Sequence, residues 1–302
     1  MKYLHIPVLL QETIDGLQIE DNDVVVDMTL GSGGHSEAVL QTNARNLTLI
    51  GGDADTDAVS RSELRLMPYH NEQHAIILEV SPNHLIDDVL KRHGINTISK
   101  CIFDLGISSD QLEDSGRGFT FQKDEPLLMT MKKESDASEM TAYEIVNSWE
   151  RDNLADIIYA YGDETFSRQI ADAILEARHK TPIKTTFELR DIVAKAIPKK
   201  FQSHRIHPAT KTFQALRIAV NNELVNLKIS LEKIFNLLEP KGRIAVISFH
   251  SLEDRIVKHF FREKEDSEEA ELYTKKPIAP SEIEIENNPR SRSAKLRILI
   301  KS

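Results

Sequence analysis

The chain has 302 residues, enough for one large domain or two smaller ones, and we expect two. Hydrophobic residues make up 40% and charged residues 28%, which excludes a disordered or fibrous protein. The apolar runs fall short of the roughly 18 residues that a membrane-spanning helix needs, and the N-terminal run is too short for a secretory signal. With one cysteine, Cys101, in an apolar run, these features predict a soluble cytoplasmic protein that binds no membrane.

The net charge of −10 argues at first against a nucleic-acid partner, because Lys and Arg supply most of the affinity for phosphates. The charge is unevenly distributed, however. Segments 263–271 and 282–286 carry much of the negative charge and are predicted to be solvated and mobile. Segment 192–222 has no Asp or Glu, and its cations are Lys195, Lys199, Lys200, Arg205, Lys211 and Arg217. This segment is therefore either a phosphate-binding surface or a solvated loop and helix end.

Strands and helices alternate over the first 108 residues. The predicted strands are 24–27, 47–53, 75–80 and 100–105, and the predicted helices are 36–40, 54–66 and 84–93. The strands are rich in β-branched residues and the helices have lengths that suit βαβ crossovers. We therefore expect half of a parallel α/β sheet with helices on both faces.

The alternation stops near Ser108. Helical apolar spacing then covers 142–161, 166–179 and 187–197, and it continues as one long amphipathic helix over 213–238. Strands at 243–249 and 295–300 follow, and the alternating pattern of the last one suits a sheet edge. The predicted organisation is a first part of the core at 1–108, an all-helical insertion for substrate recognition at 109–211, and a second part of the core at 212–302.

A glycine-rich turn, Gly31-Ser32-Gly33-Gly34-His35, directly follows the first predicted strand. Glycines at this place let a ligand approach the backbone closely. Asp27 ends the first strand and Asp53 ends the second, where an acid can accept both hydroxyls of a ribose. An adenosine-containing cofactor is expected. Ser36 occupies the position of the third small residue of a dinucleotide turn and favours a methyl donor, but a dinucleotide and a purely structural turn stay open.

The fourth strand ends in Asp104-Leu105-Gly106-Ile107-Ser108-Ser109. An acid and two hydroxyls therefore lie at the carboxyl edge of the sheet, where open α/β sheets bind ligands. We expect the reacting group to bind here, although an Asp near a Gly also caps turns. His35 has no partner at metal-ligand spacing, so no metal is expected.

Seven segments together resemble the RsmH (MraW) family, in order and over residues 5 to about 300. They are His5-Ile6-Pro7-Val8-Leu9-Leu10, Asp27-Met28-Thr29-Leu30-Gly31-Ser32-Gly33-Gly34-His35-Ser36, Asp104-Leu105-Gly106-Ile107-Ser108-Ser109, Arg117-Gly118-Phe119, Phe213-Gln214-Ala215-Leu216-Arg217-Ile218, Ser248-Phe249-His250-Ser251-Leu252-Glu253-Asp254-Arg255 and Asn288-Pro289-Arg290-Ser291-Arg292-Ser293-Ala294-Lys295-Leu296-Arg297.

The resemblance implies a class I, Rossmann-like α/β methyltransferase sheet with an inserted all-helical domain. The implied activity is methylation of N4 of a cytidine in the decoding region of 16S ribosomal RNA, with S-adenosyl-L-methionine as cofactor and the small ribosomal subunit as partner. The implied cofactor-binding residues are Gly33, Gly34, His35, Asp53, Asn83, Asp104 and Gln111. Asp104, or the adjoining backbone carbonyl, is our candidate catalytic group, holding the target amine or the amino group of the cofactor.

Two further motifs have open interpretations. No glycine-flanked nucleophile elbow surrounds Ser251, which argues against a hydrolase. Its segment is expected to form a pocket wall, an RNA contact, or a structural ion pair through Arg255. The basic run formed by Arg290, Arg292, Lys295 and Arg297 is predicted to bind phosphate.

The chain also departs from the family pattern. Asn83 stands where the family usually has a Phe beside the adenine, and Leu128 and Thr130 replace an Asp and an Arg in a stretch expected to face the substrate. These departures leave two other hypotheses open: a divergent methyltransferase with another RNA or small-molecule target, and a non-catalytic, cofactor-binding ribosome-assembly module. The sequence does not determine the oligomeric state, and a dimer is compatible with it.

Overall fold

The computed structural model describes residues 6–71, 73–133, 139–202 and 206–302. The chain divides into two compact units, one formed by Met1–Gly106 with Leu224–Ser302 and the other by Ile107–Glu223. Within the described ranges, no helix is both long and apolar enough to cross a membrane.

The strands are β1 Val24–Asp27, β2 Leu47–Asp53, β3 His74–Val80, β4 Ile98–Asp104, β5 Leu238–Ser248, β6 Ala270–Leu272 and β7 Lys295–Lys301. The α-helices are α1 Leu10–Leu17, α2 Gly34–Leu40, α3 Thr56–Leu66, α4 Ile86–Arg92, α5 Ser109–Asp114, α6 Ala142–Ser148, α7 Arg151–Gly162, α8 Ser167–Lys180, α9 Thr186–Ala196, α10 Thr210–Asn221, α11 Glu223–Leu237, α12 Ser251–Asp266 and α13 Glu282–Asn287. Short 3-10 helices lie at Met67–Tyr69, Asn83–Leu85, Lys199–Phe201 and Pro289–Ser293.

The first unit is built on a seven-stranded sheet of the described residues, in the order β3-β2-β1-β4-β5-β7-β6. Strands β1 to β5 pair in parallel, and β7 pairs antiparallel with both β5 and β6. The connection from β3 to β4 crosses back over the sheet, so a topological switch point lies between the neighbouring strands β1 and β4. The predicted α/β class with a Rossmann-like order is confirmed.

Alternate residues of the central strands face opposite sides of this sheet. Cys101 and Phe103 of β4 belong to the core formed with α4, α11 and α12, whereas Ile102 belongs to the core formed with α1, α2 and α3. Both faces are covered by helices, as expected for a parallel sheet whose strands are apolar on both sides. The predicted burial of Cys101 is confirmed, since its side chain is fully enclosed.

The second unit is helical in its described part and has its own core. Buried side chains of α6, α7, α8, α9 and α10 meet in it, together with Phe119, Leu127 and Met129 from the segment that follows α5. Asn221 fixes this segment, because its side chain donates to the Met129 carbonyl and accepts from the Met131 amide at 2.8 Å each.

The helix predicted over 213–238 is wrong in one respect, because the structure contains two helices. Asn222 has a φ of 50° and lies in the left-handed region, which Asn tolerates better than most residues and which ends α10. The apolar spacing of three and four continues across this break and therefore concealed it. The predicted helix at 142–161 is likewise two helices, since Trp149 has extended backbone between α6 and α7.

The placement of β7 at an edge is also wrong, because β6 covers it. The acidic segments predicted to be mobile have regular structure, since 263–271 contributes to α12 and β6 and 282–286 lies in α13. Each segment accepts a hydrogen bond from a distant part of the chain. The Leu9 amide donates to the Glu284 carboxylate, and the Ser302 amide donates to the Glu269 carbonyl. Helices α1 and α12 were not predicted.

The helical unit extends from Ile107 to Glu223 and thus continues past the boundary expected at 211. The reason is local packing, because α10 lies against α7 within that unit. A role of this unit in substrate recognition stays a prediction.

Helices α7 and α10 approach each other closely at Gly162, where a Cβ would lie 2.6 Å from the Lys211 carbonyl oxygen. We expect Gly162→Ala to destabilise the helical unit by about 1–3 kcal/mol, because backbone cannot move away as a flexible side chain can. Amide hydrogen exchange in α7 and α10 measures this locally. Ala160→Ser, at an exposed position of the same helix, serves as the matched control. Equal protection in Gly162→Ala and wild type would contradict the packing argument.

Candidate functional site

Three acidic side chains lie at the carboxyl ends of adjacent parallel strands. Asp27 ends β1, Asp53 ends β2 and Asp104 ends β4. The β1 and β4 ends flank the topological switch point, where open α/β sheets bind their ligands. The sequence-based expectation that these three residues share one edge is confirmed.

The turn after β1 is held by Asp53. Gly31 and Gly33 have φ values of 51° and 73°, in the left-handed region that favours glycine. The Gly31 amide donates to Asp53 Oδ2 at 2.9 Å, while Oδ1 accepts from the Asp55 amide at 2.9 Å. Burial raises the pKa of Asp53, against the effect of these two hydrogen bonds. Asp53 therefore fixes the glycine turn in addition to any contact with a ligand.

Gly33 directly precedes α2 and Gly34 begins it, and both positions leave little room for a side chain. A Cβ on Gly34 would lie 2.3 Å from Pro7 Cγ, and one on Gly33 would lie 3.0 Å from Ser62 Oγ. A glycine is thus required at position 34 by the protein's own packing.

Asp27 is fully buried beneath the turn. Its Oδ2 accepts from Ser36 Oγ at 2.7 Å and its Oδ1 accepts from the Thr29 amide at 3.2 Å. Burial raises the pKa of Asp27 to about 6, although both hydrogen bonds oppose the shift. Asp27 and Ser36 thereby connect the end of β1 to α2.

Asp104 is tied to the same turn through its backbone, since its amide donates to Thr29 Oγ1 at 2.6 Å. Its Oδ2 lies 3.6 Å from His35 Nδ1. Its Oδ1 is buried and has no hydrogen-bond partner among the described residues. Burial raises the pKa of Asp104 to about 8, with further contributions from the charges of Asp27 and Glu253. At neutral pH this carboxyl group is therefore mainly protonated.

His35 lies between the turn and Asp104. It is buried, and its Nε2 lies 3.1 Å from the Val8 carbonyl oxygen. If Nε2 carries the proton it donates to this carbonyl, and Nδ1 then faces Asp104 as an acceptor. The ring accordingly orients the carboxyl group of Asp104.

The arrangement fits a cationic, nucleoside-bearing ligand such as S-adenosyl-L-methionine. The buried Oδ1 of Asp104 lacks a donor, and an unpaired buried acceptor is costly until a ligand supplies one. The side chain as a whole keeps 17% of its surface exposed, which leaves access. Beside it, Gly106 has a φ of 99° and a Cβ there would meet nothing closer than 3.6 Å. The residues present thus offer both an acceptor and open backbone.

The remaining predicted site residues lie at different places. Asn83 is half-buried in the 3-10 helix after β3, and the preceding Ser81 amide donates to the Asp53 carbonyl at 2.9 Å. This brings the Asn83 loop to the end of β2. Gln111 belongs to the helical unit, where its Oε1 accepts from the Ser108 amide at 3.1 Å in a capping box. A cofactor contact by Gln111 stays a prediction.

The segment at 248–255 begins α12. Glu253 is buried and its Oε2 accepts from the Phe249 amide at 2.9 Å, so it caps the helix and also adds negative charge near Asp104. The expected ion pair involves Asp254 instead of Arg255, with Arg297 Nε at 2.7 Å and Lys295 Nζ at 3.0 Å. These hydrogen bonds lower the pKa of Asp254, although its burial opposes the shift.

This pairing changes the interpretation of the C-terminal basic run. Lys295 and Arg297 have a structural role, because both form ion pairs with Asp254. The prediction of phosphate binding is retained for Arg290 and Arg292, which are exposed.

Sequence reasoning missed three residues that assemble the site: Thr29, Ser36 and Glu253. Thr29 was noted only as a position within the family segment, and Ser36 only for its place in the glycine turn, without its bond to Asp27. A detectable signal existed for Glu253, because an acid three residues after a capping side chain is the pattern of a capping box. Thr29 offered no such signal, since its hydroxyl bonds across the sheet to a residue 75 positions away.

The chain matches the model of the MraW methylase family over residues 2–302. Ribosomal RNA small subunit methyltransferase H of Clostridium botulinum (strain Kyoto / Type A2) is 46% identical over 314 residues, covering 99% of each chain. The protein of the same name from Synechococcus elongatus is 45% identical, covering 97% of this chain and 93% of its own. A solved putative rRNA-methylase from Clostridium thermocellum aligns with 99% of this chain and 100% of its own, with 12% identity and a TM-score of 0.49, too low to support an argument.

The two curated relatives match the chain over almost their whole length. The predicted family and the predicted cofactor, S-adenosyl-L-methionine, are therefore confirmed. The chain belongs to the MraW methylase family.

Proposed function

We propose that this protein transfers the methyl group of S-adenosyl-L-methionine to the N4 amine of a cytidine in the decoding region of 16S ribosomal RNA. Its relatives carry the name ribosomal RNA small subunit methyltransferase H, which supports the RNA class of the substrate. The structural observation that carries the proposal is Asp104 at the switch point of the sheet, whose buried Oδ1 has no hydrogen-bond partner among the described residues.

Methyl transfer to the amine of cytosine depends more on the orientation of the reacting groups than on the strength of an acid or base. The cofactor supplies an electrophilic methyl group on a sulfonium. The amine of cytosine is a poor nucleophile, because its lone pair is delocalised into the ring, so most of the rate must come from positioning in a water-excluded site. The residues of this chain provide such positioning through rigid backbone at the ends of β1 and β4.

Asp104 has two compatible tasks. A cationic amino group of the cofactor would favour loss of its carboxyl proton, and the resulting carboxylate accepts a hydrogen bond from that group. In either protonation state a carboxyl oxygen that carries no proton can accept from the exocyclic amine of the target base. The His35 ring lies beside the carboxyl group, with its Nδ1 3.6 Å from Asp104 Oδ2. Asp53 has a free lone pair on each oxygen beyond its bonds to Gly31 and Asp55, which suits the hydroxyls of a ribose.

The second candidate function is methylation of a different target. The residue that favours it is Thr130, which departs from the family pattern. Thr130 is buried, and its hydroxyl has no partner among the described residues. The carbonyl groups of Thr130 and Met131 accept from Arg117 at 3.1 Å and 2.6 Å, so this stretch is held by its backbone whatever its side chains are. The backbone of this stretch is therefore held by bonds that do not involve the side chain at position 130.

Transfer of tritiated methyl groups to purified small ribosomal subunits tests the function. We expect incorporation of one methyl group per particle at N4 of a cytidine, mapped by nuclease digestion and mass spectrometry. The control is subunits from cells that already carry the modification, which should accept none. Incorporation at another nucleotide would favour the divergent enzyme, and cofactor binding without incorporation would favour the assembly module.

The role of Asp104 is tested by Asp104→Asn. We expect the affinity for S-adenosyl-L-methionine at pH 8.5 to fall roughly 10- to 100-fold, since hydrogen bonds to charged groups contribute about 1.5–3 kcal/mol. Isothermal titration calorimetry measures this. Asp88→Asn, which alters an exposed acid on α4, is the matched control and should bind as wild type does. Unchanged affinity in Asp104→Asn would remove Asp104 from the binding site.

The raised pKa of Asp104 predicts a pH-dependent stability. The unfolded chain gives up this proton near pH 4, whereas the folded chain retains it up to about pH 8. The carboxyl group therefore lowers the free energy of unfolding progressively as the pH rises from about 4 to about 8. Asp104→Asn removes this penalty, so its melting temperature should exceed that of wild type by more at pH 8 than at pH 5. An equal difference at both pH values would contradict the assignment.

A further inference from the structure

Two cations of the acid-free segment 192–222, Arg217 and Lys211, are engaged within the helical unit. Arg217 forms two hydrogen bonds with the Glu223 carboxylate at 2.8 and 2.7 Å, and both side chains are largely buried. Lys211 Nζ donates to the Asp163 carbonyl at 2.7 Å. Arg205 lies outside the described residues. The charge that remains for a partner is therefore concentrated at the other end of the segment.

That end carries an exposed aromatic ring directly after two lysines. Lys199, Lys200 and Phe201 form a 3-10 helix after α9, and Phe201 keeps 58% of its surface exposed. Lys199 and Lys200 form no ion pair with any described residue, and the Lys200 ammonium lies 4.9 Å from the centre of the Phe201 ring. We call Lys199, Lys200 and Phe201 the aromatic platform.

The platform is held rigidly. The side-chain amide of Gln202 donates to the carbonyls of Ala194 and Ile197 at 2.8 Å each, which fastens the 3-10 helix to the end of α9. Pro198 restricts the backbone before it. Phe166 packs behind Phe201 with ring centroids 5.2 Å apart and an angle of 45° between the planes. These contacts hold the Phe201 ring in a solvent-exposed position. The ring therefore loses little conformational entropy when a ligand binds to it.

We propose that the aromatic platform stacks an unpaired base of the RNA substrate while Lys199 and Lys200 contact the adjacent phosphates. Single-stranded RNA is bound in this way, by aromatic faces that stack bases and by cations that follow the backbone. The absence of Asp and Glu from 192–222 leaves no carboxylate of that segment to repel the phosphates. The inference rests on the proposed RNA substrate and adds a binding contact remote in sequence from the residues assigned to the cofactor.

The experiment measures binding of a fluorescein-labelled, single-stranded oligoribonucleotide of mixed sequence by fluorescence anisotropy. We expect Phe201→Ala to weaken binding about 10-fold, since one base stack is lost. Phe201→Trp should bind within about 2-fold of wild type, whereas Phe201→Leu should resemble Phe201→Ala because it is apolar without a π face. Tyr159→Ala, which removes a comparably exposed ring from α7 of the same unit, is the matched control and should have no effect.

Salt dependence separates stacking from charge. Phe201→Ala should leave the slope of log K against log salt unchanged, and Lys199→Ala and Lys200→Ala should each reduce it by about 0.7. Wild-type affinity of Phe201→Ala or of Phe201→Leu would overturn the inference, as would an equal loss in Tyr159→Ala. Affinity for S-adenosylhomocysteine should stay unchanged in all variants, which shows that the cofactor site is intact.

The outcomes that would contradict the proposed function differ from those that would contradict the aromatic platform. If wild type binds the oligoribonucleotide but methylates no small subunit, the function is wrong while the stacking result still decides the platform. If wild type methylates subunits and Phe201→Ala does so with the same KM and kcat, the platform is wrong while the function stands.

Discussion

The desolvation of three carboxyl groups at the ends of parallel strands is the constraint on which the site depends. Each buried oxygen requires a donor, and the donors come from the chain around it: Ser36 for Asp27 and the Gly31 amide for Asp53. Meeting these requirements determines the conformation of the glycine turn. At Asp104 the same constraint is only half met, because one oxygen keeps no partner among the described residues. The sheet edge is thus rigid at Asp27 and Asp53, whose carboxyl groups are bonded within the chain. At Asp104 a buried oxygen has no partner among the described residues, and a ligand can supply the donor.

The sheet makes this edge possible by burying both of its faces. Alternate residues of β4 supply the two cores, so the strand ends cannot shift without disturbing helices on both sides. The backbone link from Asp104 to Thr29 then sets the spacing across the switch point.

Ion pairing decides how the basic residues of this acidic chain are used. Asp254 forms ion pairs with Lys295 and Arg297, and Glu223 forms one with Arg217. Each of these cations is counted as a possible phosphate ligand in the sequence, yet each has an internal partner. Lys199 and Lys200 form no ion pair with any described residue, and they directly precede the exposed ring of Phe201.

The sequence by itself determined the α/β class, the glycine turn and the acids that end β1, β2 and β4, because strand ends and turns depend on local periodicity and on glycine at particular positions. It also determined the family, through segments spread over the whole chain. Tertiary structure alone decided the break at Asn222, the covering of β7 by β6, the bond from Asp104 to Thr29 and the pairing of the C-terminal cations. These features join residues far apart in the chain, or interrupt a helix without changing the period of its apolar residues. Local sequence patterns therefore do not predict them.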